Sequence, residues 1–140
     1  MSVVFDTNIW ISAFLSPKGS PAELISLWEN ELFDVTISPP LLSELTATLN
    51  YQKIQKHANA TPRRVEALQK KIKLACIYIQ PGVILRVVEA DDADNRVLAC
   101  AVAAEATFII CGDTHLLTLR NYQGIEILMP ANVLLFQSRR

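Results

Sequence analysis

Glycine is scarce in this chain, with only four in 140 residues. None falls in a GxGxxG run or a P-loop spacing, so the glycine-rich loops that let a backbone wrap a phosphate are absent, which argues against nucleotide-binding folds built on them. Cysteine is equally sparse. Cys76, Cys100 and Cys111 are an odd number in apolar surroundings, with no CxxC spacing. They read as small buried residues, not as zinc ligands or a disulfide framework. No apolar run approaches the roughly 18 residues that argue for a membrane span; the closest, Val97 to Ala104, ends at Glu105. The N-terminus lacks the basic start and long apolar stretch of a secretory signal. These absences predict a cytoplasmic protein with no membrane partner. No internal repeat with a period of about 20 to 50 residues is present, which argues against solenoids and propellers. Neither sign of charge dominates: 13 basic side chains stand against 14 acidic ones, and a net charge of −1 names no partner.

What the chain does have is apolar residues, 51% against 19% charged, the balance of a compact folded protein. Its length predicts one domain over 1–140. Ser2 to Phe5 reads as a short buried strand and Ile9 to Leu15 as a helix. Ser20, Pro21 and Glu23 form a capping-box pattern ahead of an amphipathic stretch. Phe33 to Ile37 is a second strand. Ser38 caps a helix opened by Pro39 and Pro40 and running to about Asn50. Thr61 and Pro62 open another, with Val65, Leu68, Ile72 and Cys76 at helical spacing and basic residues opposite. Val83 to Val88 is strand-like. Asp91 or Asp92 caps a helix from Ala93 to about Glu105 that is apolar on nearly every side, as a central helix would be. Thr107 to Cys111 and Ile125 to Leu128 are strands, and Pro130 starts a last helix, whose Val133, Leu134, Leu135 and Phe136 suit either the sheet or a homo-oligomer interface.

Short strands, apolar on both faces and alternating with helices, predict an α/β fold with a parallel sheet between helices. Right-handed crossovers then direct the strand C-termini to one edge, where such sheets bind ligands. Two strands end in a carboxylate at that edge. "VVFDTN" runs into Asp6, and "FIICGDT" into Asp113. If these strands are neighbours the two carboxylates repel, and a hard divalent cation such as Mg²⁺ or Mn²⁺ relieves the repulsion through oxygen ligands. Asp94, in the first turn of the apolar helix, and Glu44, bordering the Leu41/Leu45 face of its helix, are further candidates. Taken singly each has a plainer explanation: Asp6 and Asp113 as turn residues bonding their own backbone, Asp94 as a cap, Glu44 as a solvated helix residue. Their joint placement around one edge favours a site.

"FDTNIWISAFL", an isolated Glu in the helix after the second strand, "DDADNRVLACAV" and "FIICGDTHLL" resemble, in order and over nearly the whole chain, the successive signatures of PIN-domain nucleases. The likeness extends to PIN-family toxin components of prokaryotic toxin–antitoxin systems. The resemblance implies a three-layer α/β/α sandwich with a mainly parallel sheet and a four-acid site of Asp6, Glu44, Asp94 and Asp113. It implies one or two Mg²⁺ or Mn²⁺ ions, cleavage of single-stranded RNA, and an antitoxin partner. Asn8 and Thr114 are accessory polar residues in that pattern. The pattern often has Ser or Thr before Gly-Asp and a second acid two residues beyond; here these positions hold Cys111 and His115.

RNA cleavage also needs contacts to the backbone. Arg63, Arg64, Lys70 and Lys71 are the leading candidates, with Lys53, Lys56, Lys73 and Arg96 behind them, although a solvated helix face explains each as well. Trp10 and Tyr51 are the aromatic residues considered for base stacking. The alternatives are a catalytically inactive PIN-like module that binds RNA or protein, and a phosphate-accepting receiver-type module. The latter needs an acidic pair near the N-terminus, where "VVFDTN" supplies one acid.

Overall fold

The structure, a computed structural model, describes residues 1–82, 92–112 and 115–138, with the side chains of 136–138 excepted. The strands are β1 (Ser2–Phe5), β2 (Asp34–Ile37), β3 (Ile77–Tyr78), β4 (Phe108–Ile110), β5 (Asn121–Tyr122) and β6 (Ile125–Leu128). The helices are α1 (Thr7–Leu15), α2 (Ser20–Glu29), α3 (Pro39–Leu49), α4 (Gln52–Gln55), α5 (Pro62–Ala75), α6 (Asp92–Ala104), α7 (Leu116–Leu119) and α8 (Pro130–Ser138). The strand predicted at Val83 to Val88 lies outside the described residues, as does Asp91.

The strands form one six-stranded sheet in the order β3-β2-β1-β4-β6-β5, and helices cover it as an α/β/α sandwich. Among the described residues every pairing is parallel except β5 with β6. The two strands of that exception turn through Gln123 and Gly124, both at positive φ (50° and 83°), as a two-residue hairpin loop requires. β1 is central. It pairs on one side with β2 (Val3 opposite Val35) and on the other with β4 (Val4 opposite Ile109, Phe5 opposite Ile110). Val3, Val4 and Phe5 are all buried, the two-sided burial that their unbroken apolar run predicts.

An aromatic cluster fastens β1 to the helices that come after it. Phe5 meets the Trp10 ring edge-on at 5.1 Å and Phe33 at 6.2 Å, and Trp10 meets Trp28 at 5.3 Å. Trp10 is thereby a core residue and is not available to stack on a base. On α6, Val97, Leu98, Ala99, Cys100 and Ala101 are all buried, and the helix packs on β1, β2 and β4. α8 packs on α2 with Val133 buried. The three cysteines are buried, and burial pushes the Cys76 and Cys100 thiols up to about 12 and about 11, so both stay protonated. Among the described residues no helix is long and apolar enough to cross a membrane.

Local sequence signals explain most helix starts. Ser38 caps α3 through Leu41 N–H, and Thr61 caps α5 through Arg64 N–H. The capping box expected at Ser20 is absent. Gly19 is the N-cap, Ser20 is already helical, and no side chain closes the turn; Pro21, preset for a first turn, suffices. α1 begins at Thr7, two residues before the predicted start, because Asp6 caps it. Asp92 likewise lies within α6 rather than ahead of it. Phe33, Thr107 and Cys111 flank their strands rather than belong to them.

Two helices end in the same unusual way. Glu31 (φ 62°) and Glu105 (φ 51°) adopt the left-handed conformation that usually falls to glycine. Leu32 N–H donates to Leu27 O and Glu31 N–H to Trp28 O; Ala106 N–H donates to Ala101 O and Glu105 N–H to Val102 O. Both are Schellman closures with a glutamate where glycine is preferred. Each carries a left-handed penalty of roughly 1–2 kcal/mol. Glycine would remove that penalty, but part of the benefit is offset because glycine also loosens the unfolded chain. Glu105→Gly should therefore raise the unfolding free energy, by up to about 1 kcal/mol, in urea denaturation. A loss of stability would show that the Glu105 side chain does more than occupy the turn.

Candidate active site

The C-terminal ends of β1 and β4 lie side by side, and Asp6 is the first residue beyond β1. Its N–H continues the ladder, donating to Ile110 O at 3.1 Å. The chain then enters α1, and Asp6 Oδ1 accepts from Ile9 N–H at 3.0 Å. The plain turn-type role is therefore real, but it uses one oxygen. The other, Oδ2, is buried without a hydrogen-bond partner among the described residues, in a side chain that is 4% exposed. A buried carboxylate oxygen left in this state is costly unless the group is protonated or a cation approaches.

The pKa of Asp6 reflects that position. Desolvation is the largest influence and pushes it up; the backbone N–H groups of Ile9 and Gly112 pull it back; Asp94 and Glu44 push it up again. The outcome is a rise from 3.8 to about 6. Two acids far away in sequence thus lie within electrostatic range of Asp6. Asp94 sits in the first turn of α6, 4% exposed, where the helix dipole favours a negative group. Glu44 comes from the middle of α3 and is half-buried. Its Oε2 is enclosed, makes no hydrogen bond among the described residues, and lies 3.5 Å from Arg96 Nη2 of α6. This ion pair was not foreseen from the sequence, which marked Arg96 only as one of several basic residues.

Asp113 and Thr114 lie outside the described residues; the chain is described as far as Gly112, whose amide faces Asp6. Asn8 is the second residue of α1 and exposed. Among the described residues, no three Asp, Glu, His or Cys side chains close into a metal-binding cluster. Asp6, Asp94 and Glu44 interact through the field and do not by themselves form a finished coordination shell. Their chemistry nonetheless fits a hard divalent ion: all are oxygen donors, and Asp6 presents an oxygen with no hydrogen-bond partner among the described residues.

A family model described as "PIN domain" matches residues 2–115, from β1 through the segment just after β4. The chain belongs to the PIN-domain family. Members of this family are nucleases that generally use divalent metal ions. This PIN domain is 31% identical over 122 residues to the uncharacterised protein MJ1680 of Methanocaldococcus jannaschii, a match covering 86% of this chain and 76% of the relative. In fold it is similar to a chain of VapBC2 from Rickettsia felis, solved bound to a DNA fragment from their promoter. The TM-score is 0.62 at 13% identity, over 91% of this chain and 97% of the other.

The basic residues of the PIN domain are distributed unevenly. Arg64 is committed to packing: it lies 4.8 Å over the Phe14 ring and donates to the carbonyls of Phe14 and Asn59, fastening α5 to α1. Lys71 pairs with Glu29 of α2 at 2.9 Å. Arg63 and Lys70 are exposed on α5. Tyr51 is 60% exposed, just ahead of α4.

The raised pKa of Asp6 has a definite consequence for stability. In the metal-free protein the folded state holds the Asp6 proton more tightly than the unfolded chain does. Its stabilising contribution is complete below about pH 4 and lost as pH rises through about 6. The gap between 3.8 and about 6 corresponds to on the order of 3 kcal/mol. In EDTA, the unfolding free energy of the wild type relative to Asp6→Asn should therefore fall between pH 4 and pH 7. A flat difference would mean that Asp6 is not desolvated as described.

Proposed function

We propose that this PIN domain is a divalent-metal-dependent endoribonuclease that cleaves single-stranded RNA, and that it serves as the toxin of a toxin–antitoxin pair. The observation that carries the nuclease reading is the buried Asp6 carboxylate, half satisfied, within the field of Asp94 and Glu44, in a chain whose family consists of nucleases. The fold shared with a VapBC2 chain supports the toxin reading, and with it an antitoxin protein as partner.

Asp6, Asp94 and Asp113 would hold Mg²⁺ or Mn²⁺, one or two ions, with Glu44 completing the shell or orienting water. A divalent ion bound there supplies a water acidic enough to attack near neutral pH and offsets charge on the phosphate. The chain's own part is to concentrate the acids and keep them aimed. α1 holds Asp6 through its cap, the first turn of α6 carries Asp94, and Arg96 restrains Glu44. The same acids without a cation repel a polyanion, so substrate affinity and metal occupancy are coupled.

Asparagine caps a helix as well as aspartate does, so Asp6→Asn removes the charge while sparing the turn into α1. Asp6→Asn and Asp113→Asn should each lower Mn²⁺-dependent cleavage of a single-stranded RNA panel by more than about a hundredfold, with the thermal transition unchanged or raised. Equal rates in wild type and both variants would refute the assignment. Absence of cleavage by the wild type across the panel would favour the inactive binding module instead.

A further inference from the structure

One acid of the site, Glu44, meets a cation from within the fold, and the geometry is not that of a finished salt bridge. Arg96 lies two residues beyond Asp94 on α6 and reaches across to Glu44 on α3. Its Nη2 stands 3.5 Å from an enclosed Glu44 Oε2 that makes no hydrogen bond among the described residues. The contact is electrostatic only, and the Arg96 side chain stays 41% exposed while Glu44 is 25% exposed. The inner member of the pair is thus the acid and the outer member the guanidinium. A guanidinium carries five N–H donors in a planar fork that matches two phosphate oxygens at once. A part-exposed pair of this kind adds little to stability, which makes a purely structural role a weak account of it.

We propose that Arg96 is the phosphate-gripping residue of this site, its guanidinium shared between the Glu44 carboxylate and a backbone phosphate of the entering RNA strand. The proposal rests on the nuclease reading for the identity of the strand. It gives a polyanion a cationic foothold beside an acidic cluster that otherwise repels it, and it does so on the same helix that carries Asp94. Glu44 then has a second duty: it holds the guanidinium at the site while no strand is bound.

The test is binding of a fluorescein-labelled single-stranded RNA in EDTA, where no metal contributes, measured by anisotropy over a range of salt. Arg96→Gln should lose about tenfold in affinity. The slope of log affinity against log salt should fall by about 0.7, the value for one phosphate contact on a single strand. Arg96→Lys should keep the slope and recover only part of the affinity, because a point charge lacks the fork. A structural staple predicts the opposite pattern: a lowered thermal transition with wild-type affinity and slope, which would overturn the proposal. So would a wild type that binds no RNA. Should Arg96→Gln fail to fold, Arg96→Lys decides, since wild-type affinity in that variant contradicts the fork. The two readings fail separately. Wild-type cleavage with an unchanged Arg96→Gln slope sinks only the Arg96 assignment. A lowered slope in Arg96→Gln, beside a wild type that never cleaves with Mn²⁺, sinks only the nuclease.

Discussion

A carboxylate has been built into the interior at the end of the central strand, and much of the molecule serves to keep it there. Asp6 cannot move outward, because its N–H is held by β4 and its Oδ1 by the first turn of α1. It is largely withdrawn from water, with only 4% of its surface exposed. Its charge is disfavoured by burial and by two neighbouring acids. Packing energy spread over the sheet and α6 maintains what electrostatics alone would disperse. Functional sites commonly hold such locally unfavourable groups, with perturbed acidity as their mark.

The parallel sheet explains why these acids meet although they are distant in sequence. β1 lies between β2 and β4, so the residues leaving its C-terminal end are flanked by those leaving the same end of β2 and β4. α3 comes after β2 and carries Glu44; Gly112 comes after β4 and turns its amide to Asp6. α6 lies across β1, β2 and β4 and brings Asp94 with it. The convergence is a property of strand order, with each acid supplied by a different connection. That is the general logic of ligand sites at the C-terminal edge of open α/β sheets.

Much of this was legible in the sequence, for reasons that can be stated. The apolar run before Asp6 could only be a strand buried on both faces. Ser38 and Thr61, each with proline next in the chain, declare helix starts through local chemistry that the structure keeps. The features that escaped are those without a local signature. β3 and β5 are two residues long and exist because a neighbouring strand offers hydrogen bonds. Glu31 and Glu105 close their helices without the glycine that would have advertised the turn. At Ser20 the local pattern was present and the side-chain bond was not, since proline had already set the backbone. The Arg96–Glu44 pair depends on how α3 and α6 pack, which no spacing in the chain encodes. Of the four acids named from the sequence, Glu44 and Asp94 come within electrostatic range of Asp6, and Asp113 lies outside the described residues.

The central claim is that these carboxylates form one anionic pocket that a hard cation neutralises. Calorimetric titration of Mn²⁺ into the metal-free protein tests it without any assumption about substrate. The account predicts saturable binding at neutral pH, accompanied near pH 6 by release of the proton that Asp6 holds, and loss of both binding and proton release in Asp6→Asn. Binding of Mn²⁺ to Asp6→Asn with wild-type affinity and the same proton count would contradict it.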